Sequence, residues 1–96
     1  MDDYGYKGQN NIEQAPWFED RMTGLGIIYQ ERVIPNIGTM GGQVRELSFN
    51  TEGQQRYAYV FVFQGVDDFL QQSLIFERPI PDDKLANVFE QFRRAD

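Results

Sequence analysis

The stretch QVRELSFNTEGQQRYAYVFVFQ, residues 43–64, decides the fold class. Its first eight residues alternate. Arg45, Leu47 and Phe49 fall on one face of an extended chain and Val44, Glu46 and Ser48 on the other, because successive strand side chains point to opposite sides. Residues 55–64 repeat the pattern with larger groups: Tyr57, Tyr59, Phe61 and Phe63 share one face, and Ala58, Val60 and Val62 the other. Between the runs, Asn50-Thr51-Glu52-Gly53 supplies turn formers, with glycine at the position that most needs a positive φ. Two strands joined by so short a turn predict an antiparallel hairpin.

Working outward, Gly65-Val66-Asp67-Asp68 predicts a second turn, and residues 69–77 (FLQQSLIFE) a further strand whose Leu70, Leu74 and Phe76 face is broken by Gln72. Pro79 and Pro81 close it. Asp82 then reads as a helix N-cap, with Asp83 in the first turn. Leu85, Val88, Phe89 and Phe92 follow at the spacing of one helical stripe, which predicts an amphipathic helix over 83–94. Upstream, residues 25–34 (LGIIYQERVI) predict a strand stopped by Pro35-Asn36, and residues 38–42 (GTMGG) a flexible connector with Met40 at its tip. Residues 12–23 (IEQAPWFEDRMT) predict a short helix or turn, with Pro16 at its first position and Gly24 ending it. Residues 1–11 are polar, with Tyr4 and Tyr6 as their only aromatics, and read as a flexible arm. The expected architecture is α+β: a four-stranded, mainly antiparallel meander with a C-terminal amphipathic helix and a flexible N-terminal arm. In domain terms the arm is 1–16 and a single α+β domain is 17–96.

Composition bounds the rest. With 96 residues the chain is one domain. Leu, Ile, Val and Phe make up 26 of them, above the roughly 20% below which disorder is the better reading. There is no cysteine, hence no disulfide, and this favours a reducing compartment. No apolar run approaches the ~18 residues of a membrane span, and the N-terminus shows no signal peptide. The expected location is therefore cytoplasmic, or within an assembled particle. The net charge of −6 is spread along the chain with no basic segment, so binding to a nucleic-acid backbone lacks its usual electrostatic source.

The side-chain inventory also excludes much chemistry. Without histidine the chain lacks the commonest general base, and without histidine and cysteine it lacks the usual zinc ligands. Ser48, Ser73, Thr23, Thr39 and Thr51 have no imidazole to activate them. The adjacent carboxylates Asp2-Asp3, Glu19-Asp20, Asp67-Asp68 and Asp82-Asp83 fit caps and turns better than an opposed acid–base pair. GTMGG lacks the lysine and hydroxyl residue that complete a phosphate loop. No catalytic residue, cofactor or metal is expected.

The strand over 55–64 is apolar on both faces and should be central, covered on each side. One helix covers one face. For the other the sequence leaves three solutions: Trp17 and Phe18 folding over it, closure into a small barrel, or a second chain. The adjacent pairs Glu31-Arg32, Arg45-Glu46 and Glu77-Arg78 cannot bridge themselves and suit cross-strand pairing. Seven of the nine basic residues are arginine, which favours contact duty over bulk solubility. These features together point to a non-enzymatic protein–protein interaction or assembly subunit, partnered by another protein or by itself, such as a component of a phage or viral particle. The alternative is an acidic inhibitor or immunity-type protein that covers a basic surface. The expected partner contacts are Tyr4, Tyr6, Trp17, Phe18, Arg56, Tyr57 and Tyr59.

Overall fold

The computed structural model describes residues 4–35 and 43–94; the 38–42 connector with Met40, and the Asp2-Asp3 pair, lie outside the described residues. Among the described residues five strands form one antiparallel sheet: β1 (Tyr6–Gln14), β2 (Tyr29–Ile34), β3 (Val44–Thr51), β4 (Gln54–Gln64) and β5 (Phe69–Phe76). Helix α1 (Trp17–Gly24) lies between β1 and β2, and a 3-10 turn at Asp82–Lys84 leads into helix α2 (Leu85–Arg94). The spatial order β1-β5-β4-β3-β2 places the doubly apolar strand β4 in the middle. The α+β class, the hairpin and the C-terminal helix match the expectation.

The strand count exceeds the four expected: a further strand stands where the sequence suggests an arm. Residues 6–14 pair antiparallel with β5, from Tyr6 opposite Phe76 to Gln14 opposite Leu70. The register shifts between Tyr6 and Asn10, around Gly8 at φ 74°. Because β1 is polar and bulged, it lacks the alternation that marks a strand. Its paired residues lie 56 to 70 positions away, so no local turn announces the pairing. Ahead of it, Gly5 at φ 69° brings the chain against β5, where the Tyr4 and Gly5 carbonyls accept the Glu77 N–H. A Cβ on Gly5 would stand 2.6 Å from the Glu77 Cβ, so only glycine fits.

Strand β2 begins at Tyr29 rather than Leu25 because the exit of α1 uses the intervening residues. The Gly26 N–H donates to the Thr23 carbonyl and the Ile27 N–H to the Met22 carbonyl, with Gly26 at φ 73°. This is a Schellman stop, completed by Ile27 and Met22 packing in one cluster. The helix ends at Gly24 as expected, and Gly26, two residues on, supplies the left-handed backbone of the stop.

Each face of the sheet has its own core. Under α2, Tyr59 and Phe61 pack with Ile34, Val44, Leu74, Phe76, Ile80, Leu85, Val88 and Phe89. Phe92 sits 4.3 Å from the Tyr6 ring and 6.2 Å from that of Phe76, centroid to centroid, tying α2 to both β1 and β5. Under α1, Phe18 and Met22 pack with Leu47, Phe49, Ala58 and Val60. Of the three ways to cover the second face, the first is therefore the one used. Among the described residues the sheet stays open, with β1 and β2 at its edges, and the four-ring face of β4 lies beneath the chain's own helix.

Candidate functional site

Helix α1 has only eight residues and could not persist alone. Its start is held from across the sheet. The buried Gln71 side chain of β5 accepts the Phe18 N–H and donates to Glu19 at 3.3 Å. Glu19 also receives Arg45 at 3.4 Å. Gln72, on the opposite face, donates to Asn10 of β1 at 2.8 Å. The two adjacent glutamines that interrupt an apolar strand thus each secure a different element, one per face.

The helix so placed leaves a groove of about 590 Å³ beside it, lined by α1, the turn after it and the adjoining end of the sheet. Trp17, Phe18 and Met22 supply one wall, Phe49 and Ile75 lie on the sheet side, and Lys7, Arg21 and Arg56 supply the charge. None of its lining residues is acidic. The Arg21 guanidinium lies over the Trp17 ring, 5.5 Å from its centroid, a geometry that holds the cation at an aromatic face. Lys7 is paired with Glu77 at 3.0 Å, and this hydrogen-bonded ammonium holds the Glu77 carboxyl below its ordinary value. Arg56 donates to the Gln55 carbonyl at 2.9 Å and to the Gln54 side chain. Neither Arg21 nor Arg56 forms an ion pair among the described residues. In a chain of net charge −6, this is a local reversal of sign joined to an aromatic wall.

The seven expected contacts divide between the faces. Trp17, Phe18 and Arg56 come together in the groove, although Phe18 mostly serves the core. Tyr59 is fully buried under α2, and Tyr4, Tyr6 and Tyr57 pack half-buried against that same cluster. Of the four-ring face of β4, Tyr59 and Phe61 are thus buried within the single chain and Tyr57 and Phe63 half-buried against the same cluster. Period-two aromatics identify a face but not what covers it. Arg21 and Lys7 are not among the expected contacts; the i, i+4 spacing of Trp17 and Arg21 is the sequence signal for the former.

Tyr59 is held by polar contacts too. Its hydroxyl donates to Glu46 at 2.6 Å and accepts the Ile80 N–H at 2.8 Å. Burial, then the bond to Glu46, keeps the phenol well above its usual pKa. Arg32 bridges Glu46 and Asp82, forking onto Asp82 at 3.0 and 3.1 Å. Asp82 therefore anchors the approach to α2 on β2; the N-cap of the 3-10 turn is Pro81, without a side-chain cap, rather than Asp82 as expected.

Among the described residues no three His, Cys, Asp or Glu side chains gather to hold a metal ion, and no helix is long and apolar enough to cross a membrane. Comparison with known proteins finds no family model that matches the sequence, no matching curated protein and no matching solved structure.

Proposed function

We propose that the chain is a non-enzymatic interaction module, a small subunit that docks to another protein or to another copy of itself through the groove beside α1. The observation that carries this reading is the joining of Trp17 to the cations Arg21 and Arg56 in one concave surface whose lining has no acidic residue, Glu77 reaching its Lys7 edge. Tryptophan and arginine are the residue types most often found at the energetic centres of protein interfaces. The positive lining favours docking of an acidic segment over the alternative of an inhibitor that presents acidic groups to a basic target. The long-range field of a −6 chain opposes an extended polyanion, so a short acidic and apolar peptide suits the groove better than a nucleic-acid backbone. Placement in the cytoplasm or in an assembled particle belongs to the same proposal.

Trp17 is the single tryptophan, so its fluorescence reports on the groove directly. The test is a titration with a short peptide carrying two aspartates between apolar residues, its lysine counterpart, and a single-stranded oligonucleotide. A saturable change with the acidic peptide is expected, weakened roughly tenfold or more in an Arg21→Glu/Arg56→Glu variant. A flat response to the acidic peptide, or tighter binding of the oligonucleotide, would overturn the reading.

A further inference from the structure

The same chain carries a structure complementary to the groove. The β4–β5 turn projects Val66 at 98% exposure and Phe69 at 59% on either side of the exposed Asp67-Asp68 pair. It is not a loose loop. The Gly65 N–H donates to the Asp68 carbonyl at 2.8 Å, the Ala15 N–H to the Phe69 carbonyl at 3.0 Å, and the Gln14 amide to the Asp68 carboxylate at 2.6 Å. A rigid knob with two apolar groups and two carboxylates is presented with little left to order on binding. Among the described residues Asp67 forms no ion pair, as is also true of Arg21 and Arg56.

The turn cannot enter its own groove. It closes the hairpin beyond the Gln64–Phe69 pair, whereas the groove touches Ile75, which pairs with Ala58. Six residues of strand separate the two pairs, roughly 20 Å at about 3.3 Å each, and the turn's bonds to Gln14 and Ala15 hold it there. Resting on the groove's role as a docking site, we infer that its occupant is the Val66–Phe69 turn of a second copy of this chain. Charge complementarity carries the choice: carboxylates flanked by apolar groups meet guanidinium groups that make no ion pair among the described residues, beside an aromatic wall. Used once per pair of chains, the contact repeats head to tail into a ring or a filament; exchanged reciprocally, it closes a two-fold dimer.

Two variants test this by sedimentation velocity. Arg21→Glu/Arg56→Glu spoils the groove and leaves the turn intact; Val66→Ser/Asp67→Lys spoils the turn and leaves the groove intact. The wild type is expected to form a dimer or larger species as concentration rises, and to lose them at high salt. Each variant alone is expected to be monomeric, while an equimolar mixture forms a complex that stops at two chains. Far-UV circular dichroism checks that both are folded, and Val66→Ser alone serves if the double change is not tolerated. The inference is overturned if the wild type stays monomeric to about 1 mM, if either folded variant associates as the wild type does, or if the mixture stays monomeric. If the acidic peptide binds yet the wild type is monomeric, self-docking fails and the groove's docking role stands. If the peptide also fails to bind, both fall.

Discussion

Tyr59 concentrates the energetics of the α2 face in one side chain. Its ring is fully buried and meets Phe76 edge-on at 5.9 Å, while its hydroxyl joins Glu46 to the backbone of Ile80. Tyr59→Phe would keep the ring and leave the Ile80 N–H and the largely buried Glu46 carboxylate short of a partner. The expected cost is about 1–3 kcal/mol, read as a lower urea midpoint with an unchanged slope. A change below ~0.5 kcal/mol would show that water replaces the hydroxyl. Gly5→Ala is a second case at this scale: the left-handed backbone and the close Glu77 Cβ both oppose it, and a loss of at least about 1 kcal/mol is expected in the same assay.

At the scale of elements, α1 and β1 depend on β5. Phe18 and Met22 supply most of the helix's apolar attachment and Gln71 its polar one. Phe18→Ala, at a site only 4% exposed, is expected to cost about 3–5 kcal/mol. It should also shift Trp17 fluorescence, since the rings are neighbours at 6.3 Å. Strand β1 gives a different observable. Its pairing with β5 from Asn10 to Gln14 should slow amide exchange at the N–H groups that donate to β5. Uniformly fast exchange from Asn10 to Gln14 would return this segment to a flexible arm.

For the whole molecule, charge sets the response to pH. Hydrogen bonding to Arg32 holds the Asp82 carboxyl below its ordinary value, as Lys7 does for Glu77. A carboxylate whose pKa is lowered by folding stabilises the fold above its unfolded pKa, about 4, and loses that contribution as pH falls through the folded value. Stability should therefore decline on acidification below about pH 4. The gap in melting temperature between wild type and Arg32→Ala should narrow over the same window. A gap unchanged down to about pH 2 would assign Arg32 a packing role instead.

Local pattern carried much of this molecule. The alternation from Val44 to Phe63, the Asn50–Gly53 turn and the Leu85–Phe92 stripe were legible because each is decided by neighbours within a few residues. So was the need for cover on both faces of β4, since a strand apolar on two sides cannot face water. Trp17 and Arg56 were legible as contact types, but their meeting in one groove was not. Only the tertiary structure decided what covers what. It turned the polar segment at 6–14 into an edge strand, used Gln71 to start α1, and buried Tyr59 beneath α2. In each case the deciding partner is distant in sequence or the geometry depends on a closed packing arrangement, and a one-dimensional pattern records which residues seek burial or a hydrogen bond but not which distant group supplies it.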